Sequence, residues 1–286
     1  MSSKRPLLIA GPTASGKSAL ALKAAKAAGG IIINADASQI YAGWRALTAR
    51  PSAAEEAEVP HRLYGHVDPS VRFSVGDWLR DVAALMEKAT ERLIFVGGTG
   101  LYFKALTEGL VEIPPAPAEL RADVAARLAD LGREGLAAEL SARDPATAAQ
   151  IDLHNHMRVA RALEVLDATG RGLADWHADT PPPLIRDAER WLIAPDRGAL
   201  YQRCDARFDQ MIADGALEEA RAMLARGLDP MLPAMKAVGA PEFFAHLRGE
   251  ITLEAAAEQA KQATRNYAKR QMTWMRNQMK DWTQVG

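Results

Sequence analysis

The stretch that decides the fold is Gly11-Pro12-Thr13-Ala14-Ser15-Gly16-Lys17-Ser18, which fits the phosphate-binding pattern G-x-x-x-x-G-K-[ST]. The apolar residues Pro6–Ala10 before it predict a strand, and the Ala- and Leu-rich residues Lys17–Ala28 predict a helix after it. Glycines let the backbone wrap an anion, and the N–H groups at the helix N-terminus supply partial positive charge. Lys17 adds a point charge, and the Ser18 hydroxyl is placed to bind Mg²⁺. The sequence therefore predicts a site for a di- or triphosphate.

The composition is that of an ordinary globular protein. The 286 residues are 48% hydrophobic and 25% charged, with a net charge of −1, so any surface for nucleic acid must be local. The single cysteine, Cys204, excludes an internal disulfide and a cysteine-based zinc site. No apolar run approaches about 18 residues, and no signal peptide precedes the first strand. We therefore expect no membrane partner and a cytoplasmic location.

Strand and helix patterns alternate in most of the chain. Short apolar runs predict strands at Ile31–Asp36, Leu93–Val96 and Trp191–Pro195, with helices such as Val75–Lys88 between them. This alternation predicts an α/β fold, a P-loop NTPase-like parallel sheet with flanking helices. From about Ala118 to Thr180 the spacing is almost entirely helical, and Pro-rich stretches at Pro114–Pro117 and Pro181–Pro183 bracket it, which predicts an inserted all-helical domain at residues 118–184. The core would then comprise residues 1–117 and 185–286, and its last part has helix patterns at Gly198–Met211, Leu217–Ala225 and Leu253–Lys280.

Two groups of residues follow strands that should end at the same edge of the sheet, where ligands bind in open α/β folds. Asp36 follows the second strand, and its carboxylate suits a metal ligand or a general base, although a helix cap or a solvated loop residue also fits. Gly97-Gly98-Thr99-Gly100 follows the third strand. Its glycines allow close backbone approach, so Thr99 can face the same crevice, unless the segment is a simple turn.

Several basic residues are candidates for phosphate contact, and each of them could instead be an ordinary surface residue. Arg203 and Arg207 are four apart and can share a helix face toward a diphosphate, or form a surface pair. Arg158 and Arg161 are three apart and suit phosphate contact or an ordinary salt bridge. A helix stripe near the C-terminus is either a solvated face or a contact surface for a phosphate backbone; its members are Lys261, Arg265, Lys269, Arg270, Arg276 and Lys280.

His154-Asn155-His156 invites a metal interpretation, but residues two apart on a helix point to different faces. Since no third ligand is near in sequence, we do not expect a metal there.

Seven segments together resemble the bacterial tRNA dimethylallyltransferases almost from end to end. In chain order they are Gly11–Ser18, Asp36-Ala37-Ser38-Gln39-Ile40-Tyr41, Ala49-Arg50-Pro51, Pro60-His61-Arg62-Leu63, Gly97-Gly98-Thr99-Gly100-Leu101-Tyr102, Arg158–Glu164 and Ala268-Lys269-Arg270-Gln271-x-x-Trp274. The resemblance implies transfer of a dimethylallyl group from dimethylallyl diphosphate to N6 of adenosine 37 of tRNA. It further implies Mg²⁺, the tRNA anticodon stem-loop as partner and, we expect, a monomer.

The resemblance also implies roles for residues. Asp36 would be the general base, Thr13 and Arg207 would act beside the diphosphate, and Gly11–Ser18 would hold it, with Ser18 on Mg²⁺. The insertion at 118–184 would clasp the anticodon stem-loop. Residues that would contact tRNA are Asp36, Ala37, Ser38, Gln39, Thr99, Arg121, Met157, Arg158, Val159, Ala160, Arg161, Lys236, Gly239, Lys269 and Arg270.

The chain departs from the family pattern at Ala37, where a serine is common, at Ala240-Pro241, where a Tyr-Lys or Tyr-Arg pair is usual, and at His154-Asn155-His156, where an Asn-Asp pair is usual. Two other functions fit the phosphate loop itself. The kinase interpretation predicts an arginine-rich lid that closes over ATP, and it predicts no basic stripe near the C-terminus. A nucleotide-dependent switch needs a guanine signature, which has no sensible place here. Leu93–Val96 also ends in Gly97 rather than in the acidic residue typical of motor ATPases.

Overall fold

The structure, a computed structural model, describes residues 5–285. The chain divides into two compact units, one formed by Met1–Thr107 with Ile185–Gly286 and the other by Glu108–Leu184. The second unit thus includes residues 108–117, which precede the predicted start of the insertion at residue 118.

The first unit contains a six-stranded sheet within the described residues, and all its strand pairs are parallel. The spatial order is β3-β2-β4-β1-β5-β6. The predicted parallel α/β fold is therefore confirmed. The strands are β1 (Leu7–Ala10), β2 (Ile31–Asn34), β3 (His61–Arg62), β4 (Leu93–Gly97), β5 (Glu189–Leu192) and β6 (Thr283–Gln284).

The central strands are short apolar runs because both faces of the sheet are covered. Leu7 and Ile9 pack on one side with Ala21 of the helix that follows β1. Leu8 points to the other side, where it joins the cluster of Phe95. Parallel sheets buried on both faces favour such continuous apolar strands over alternating ones.

The register brings three strand ends together. Ala10 of β1 lies opposite Gly97 of β4, and Asn34 of β2 lies opposite Val96. Because all three strands run in the same direction, the segments after Ala10, Asn34 and Gly97 leave the same edge of the sheet. This edge carries the phosphate loop, Asp36 and the glycine-rich segment, as the sequence predicts.

The outer strands were predicted less well. The strand predicted at Trp191–Pro195 begins and ends earlier, at Glu189–Leu192. Neither β3 nor β6 was predicted, because each has only two residues, mostly polar, and so carries no periodicity to detect.

The helices of the first unit agree closely with the patterns of the sequence. The helix predicted at Val75–Lys88 has those bounds, and Ser74 and Asp77 form a capping box at its start. The longest, at the C-terminus, ends two residues before the predicted Lys280. The helices are α1 (Lys17–Ala28), α2 (Ala53–Glu58), α3 (Val75–Lys88), α4 (Gly100–Glu108), α9 (Arg197–Ala213), α10 (Ala216–Ala225), α11 (Ala240–Leu247) and α12 (Leu253–Gln278), with 3₁₀ turns at Ala37–Gln39 and Pro233–Lys236.

The regular secondary structure of the second unit, in its described residues, is helical, with α5 (Ala118–Arg143), α6 (Pro145–Ala148), α7 (His156–Thr169) and α8 (Leu173–Ala178). Gly132 bends α5 with a φ of 70°, a conformation that favours glycine. The core of the unit lies between α5 and α7 and contains Val124, Leu136, Leu140, Val159 and Leu163.

Ion pairs reinforce this packing. Arg127 and Arg143 of α5 both pair with Glu139 and with Asp167 of α7. None of the helices in residues 5–285 has the length and apolar character that crossing a bilayer requires.

Candidate active site

The phosphate loop between β1 and α1 has the backbone shape of an anion cradle. Ala14 and Gly16 adopt positive φ values of 60° and 90°, and the Ser15 N–H donates to the Pro12 carbonyl oxygen at 3.2 Å. No side chain caps the N-terminus of α1, where Gly16 is the N-cap residue. The N–H groups of this first turn are therefore available to an anion.

Lys17 lies beneath this loop with 8% of its surface exposed, and its Nζ donates to the Pro12 carbonyl oxygen at 3.3 Å. Burial lowers the pKa of Lys17 to about 8, against the opposing effect of the Asp36 charge. The nearby Arg207 lowers it further. A bound phosphate would supply the negative charge that this buried ammonium group lacks.

Arg207 of α9 donates a hydrogen bond from Nη2 to the Thr13 hydroxyl. Burial lowers the pKa of its guanidinium. Among the described residues its buried Nε has no hydrogen-bond partner. A buried donor without an acceptor is costly, so Arg207 is poised to donate to an added ligand.

Arg207 also borders an open cavity of about 420 Å³ over the start of α1. Lys17, Ser18 and Arg203 line the same cavity. Arg203 is held there because its Nε donates to the Ala14 carbonyl oxygen at 3.0 Å. Three cationic side chains and a helix N-terminus thus surround one space, which favours a multiply charged anion such as a diphosphate.

Asp36 follows β2 and is 4% exposed. Its Oδ1 accepts hydrogen bonds from the N–H of Ser38 at 3.1 Å and from the Ser38 hydroxyl at 2.7 Å. Its Oδ2 accepts from the N–H of Gly98 at 3.2 Å. Asp36 therefore caps the short 3₁₀ turn, as one alternative proposed. It is also fixed at the sheet edge by the neighbouring glycine-rich segment.

The segment Gly97–Gly100 can approach Asp36 closely only because its glycines have no Cβ. A Cβ on Gly97 would lie 2.0 Å from the Ala35 carbonyl oxygen, and one on Gly98 would lie 2.1 Å from Nε2 of Gln271. The Thr99 hydroxyl accepts from the N–H of Ala37 at 2.9 Å. This segment is therefore more than a simple turn, since it contacts the backbone on both sides of Asp36.

Gln271 of α12 connects the phosphate loop to this segment. Its Oε1 accepts from the N–H of Thr13 at 2.8 Å, and its Nε2 donates to the Gly98 carbonyl oxygen at 3.0 Å. Gln271 was not among the predicted site residues. Its signal was present, because position 271 lies on the buried stripe between Ala268 and Met275, where a polar side chain needs a partner.

Known proteins resemble this chain over nearly its whole length. A family profile described as IPP transferase matches residues 39–278. The chain belongs to the IPP transferase family. The match starts just after the phosphate loop and Asp36, and full-length relatives extend over both. One is the tRNA dimethylallyltransferase of Cereibacter sphaeroides (strain ATCC 17029), which is 58% identical over 99% of this chain and 89% of its own.

Two solved structures of the family are similar over nearly the whole chain. The full-length tRNA isopentenylpyrophosphate transferase of Bacillus halodurans is 35% identical with a TM-score of 0.69, and the match covers 99% of this chain and 90% of that one. A eukaryotic dimethylallyltransferase acting on tRNA is 26% identical with a TM-score of 0.82, over 99% and 74% of the respective chains. These relatives are named for prenyl transfer to tRNA and not for phosphoryl transfer or nucleotide-dependent switching, which argues against the kinase and switch interpretations.

The basic residues of α12 do not form one free stripe. Lys261 pairs with Asp209 at 2.7 Å and Arg265 pairs with Asp205 at 2.6 Å, so these two hold α12 against α9. Arg270 lies over the ring of Tyr267, with its Cζ 5.6 Å from the ring centre. Asp209 and Asp205 therefore occupy two of the six cations, so the alternatives of a solvated face and a phosphate-contact surface concern the other four.

The remaining cations of this helix region surround a second cavity, of about 590 Å³. Lys269, Arg276 and Lys280 line it together with Arg197 of α9. All four are exposed, and none has a carboxylate within 4 Å among the described residues. This part of the surface keeps a positive charge that can meet a phosphate backbone.

The other residues that the resemblance implies for tRNA lie in several places. In the first unit, Ala37, Ser38 and Gln39 form the 3₁₀ turn after Asp36. Lys236 is exposed at the end of the second 3₁₀ turn, and Gly239 precedes α11 with a φ of 94°.

In the second unit, Arg121 is an exposed residue of α5, and Met157–Arg161 lie at the start of α7. Met157 is 68% exposed, whereas Val159 is fully buried in the core of the unit and has no surface to offer a ligand. Arg161 pairs with Glu164 at 3.6 Å.

No cluster in the described residues forms a preassembled metal site. His154 precedes α7 and His156 begins it, and no group of three or more His, Cys, Asp or Glu side chains is placed to bind a metal there or elsewhere in residues 5–285. Ser18 is exposed beside the phosphate cavity. Because Mg²⁺ keeps several waters and binds phosphates through one or two protein oxygens, a lone hydroxyl at this place fits it.

Proposed function

We propose that the protein transfers a dimethylallyl group from dimethylallyl diphosphate to N6 of adenosine 37 of tRNA and releases diphosphate. The single observation that carries the proposal is the pair of hydrogen bonds by which Gln271 connects the phosphate loop at Thr13 to Gly98, whose N–H holds Asp36. An anion cradle and a buried carboxylate are thereby fixed to one another. The relatives supply the chemistry, since they are named tRNA dimethylallyltransferases.

The phosphate loop Gly11–Ser18 would hold the diphosphate in the cavity of about 420 Å³. Negative charge grows on this group as the bond between allylic carbon and oxygen breaks. Lys17 and Arg207 lie where they can stabilise that charge, and the unpaired Nε of Arg207 gains an acceptor. Preorganised donors of this kind usually make the largest contribution to catalysis. Mg²⁺ on Ser18 would add a further positive charge beside the phosphates.

Asp36 would act as the general base. The exocyclic amine of adenine is a weak nucleophile, and its attack on the allylic carbon makes its protons acidic. The new C–N bond forms as the C–O bond to diphosphate breaks, and one amine proton passes to the Asp36 carboxylate. A positioned base is worth about 10²–10⁴ in rate. Bonds from Ser38 and Gly98 keep this carboxylate in place.

The tRNA would be recognised through charge and through an unpaired base. We propose that the helical unit clasps the anticodon stem-loop, with exposed Arg121 and Arg158 as phosphate contacts. Lys269 and Arg270 of α12 would contribute from the first unit. Adenosine 37 lies in a loop, so moving it into the site costs only its stacking, about a few kcal/mol.

A transfer assay tests the function. Purified protein is mixed with unmodified tRNA and labelled dimethylallyl diphosphate, and in parallel with ATP and a panel of small acceptors. We expect label in the tRNA, located at adenosine 37 after nuclease digestion and nucleoside analysis. Phosphoryl transfer to a small acceptor without any prenylated tRNA would overturn the proposal in favour of a kinase.

A further inference from the structure

A small, partly open space adjoins the phosphate cavity in the first unit. It has a volume of about 40 Å³, and Thr13 and Arg207 border it on the side of the phosphate loop. Ser38, whose hydroxyl is bonded to Asp36, borders it as well. Since Arg207 lines both spaces, a donor whose diphosphate lies in the larger cavity can extend its tail into the smaller one.

The rest of the wall is largely apolar. Leu47, Phe208, Met211 and Val238 line it. Leu47, Phe208 and Met211 are 4%, 2% and 8% exposed, so this wall is nearly dry. An apolar wall beyond a cationic entrance suits the hydrocarbon tail of a prenyl diphosphate. Exclusion of water also protects an allylic cation from hydrolysis.

The volume matches a short tail. At about 10–15 Å³ per water-sized probe, the space holds roughly three waters, whose liquid volume is about 90 Å³. A carbon atom packed at interior density takes up roughly as much room as a water molecule. The space therefore has room for the branched end of a five-carbon group, and a geranyl chain would extend beyond it.

Met211 lines the space further along α9 than Arg207 does. It lies four residues after Arg207 on the same face of α9, about 6 Å further along the helix axis. A tail that starts beside Arg207 and runs along α9 therefore meets Met211 after one prenyl unit. Phe208, the residue after Arg207, lines the same space, and its ring lies 5.6 Å from that of Phe243.

Leu47 belongs to another segment of the wall. The N–H of Leu47 donates to Glu219 at 3.0 Å, which fixes the backbone of that segment. Met211 is unbranched and can adopt several rotamers, so it is the part of the wall whose size is most easily changed.

We propose that Met211, with Leu47 facing the same space, limits the prenyl donor to five carbons. The inference rests on the proposed function, because it concerns the tail of the same donor. Met211→Ala removes Cγ, Sδ and Cε and opens the end of the space. Each methylene in an apolar pocket changes discrimination by about 10–200-fold. We expect the ratio of kcat/KM for geranyl diphosphate to that for dimethylallyl diphosphate to rise at least tenfold.

The experiment compares both donors with the same tRNA for wild type, Met211→Ala, Leu47→Ala and the control Met223→Ala. Met223 is 2% exposed in the same hydrophobic cluster but does not line the space. The control therefore reports the general cost of truncating a buried methionine. A converse variant, Val238→Phe, fills the space, and we expect it to raise KM for the five-carbon donor.

Calorimetric titration of each donor without tRNA provides a second readout. A rise in geranyl diphosphate affinity for Met211→Ala and Leu47→Ala, absent from Met223→Ala, supports the inference. An unchanged donor ratio in variants that still use the five-carbon donor overturns it. If wild type prenylates no tRNA with either donor, the proposed function itself fails, which is a different result.

Discussion

Gln271 donates a hydrogen bond of 3.0 Å from Nε2 to the carbonyl oxygen of Gly98. The other atom of the same amide, Oε1, accepts from the N–H of Thr13 in the phosphate loop at 2.8 Å. Gly98 in turn donates to Asp36. A single side chain from the C-terminal helix therefore sets the distance between the group that would bind diphosphate and the group that would take the proton.

We predict that Gln271→Ala impairs catalysis more than it impairs binding. The variant leaves two buried backbone groups unpaired, which costs about 1–3 kcal/mol of stability for each. Loss of alignment near the reacting atoms costs on the order of 100-fold in rate. We expect kcat to fall about 10–100-fold while KM for either substrate changes little. Gln278→Ala, at an exposed position of the same helix, is the control; an equal loss in both would argue against a positioning role.

A second prediction concerns Asp36. Asp36→Asn keeps the shape of the side chain and removes its capacity as a base, and Asp36→Ala removes its hydrogen bonds as well. We expect turnover to fall by about 10²–10⁴ for the base alone. Affinity for tRNA should stay within a few-fold, measured by filter binding. Asp214→Asn, at an exposed position whose carboxylate accepts a hydrogen bond from Gln210, is a control for loss of one charge. If Asp36→Asn retained most of its turnover, another group would have to accept the proton.

The phosphate loop and the edge of the sheet were predictable because their signals are local. The motif at Gly11–Ser18 fixes a strand, a turn and a helix in sequence, and apolar runs identify the central strands. Parallel strand direction then places Asp36 beside the loop without further information. These parts depend on residues that are neighbours along the chain.

The features of the site that could not be predicted depend on contacts between residues that are distant along the chain. The bond from Gln271 to Thr13 spans 258 positions, and no pattern within α12 shows which backbone group its amide will reach. The pairing of Lys261 and Arg265 with α9 likewise became visible only in the packed structure. Spacing placed these cations on one stripe. It could not tell which of them face a neighbouring helix.

A third prediction follows from the lowered pKa of Lys17, about 8 in the free protein. Below this pH the ammonium group is charged and attracts diphosphate. As the pH rises through about 8 it loses its proton, so affinity for inorganic diphosphate should decrease, approaching tenfold per pH unit above it. The measurement is calorimetric titration with diphosphate between pH 6.5 and 9.5 in buffers of different ionisation enthalpy, which also reports the proton taken up on binding.

Lys17→Arg is the matched variant for this prediction, because its guanidinium stays protonated over the whole range. Its diphosphate affinity should lack the decrease near pH 8, whatever its absolute value. A wild-type profile that stays flat between pH 7 and 9 would show that the charge of Lys17 does not govern anion binding.

The fourth prediction concerns the surface that binds RNA. Lys269 and Arg270 are exposed, and neither has a carboxylate partner among the described residues, whereas Lys261 and Arg265 are occupied by Asp209 and Asp205. Each phosphate contact that is lost reduces the slope of log K against log salt concentration by about 0.7–0.9. Charge reversal in Lys269→Glu with Arg270→Glu should therefore weaken tRNA binding and flatten its salt dependence, measured by filter binding from 50 to 300 mM salt.

The control for this experiment is Lys23→Glu, at an exposed position of α1. It makes the same kind of charge reversal outside the proposed interface, so it separates a local contact from a change in net charge. Diphosphate affinity should be unaltered in both proteins, since neither α12 residue borders the cavity over the phosphate loop. If the α12 variant bound tRNA with the affinity and salt slope of the wild type, these cations would only be solvated, and the RNA would have to rely on other basic residues.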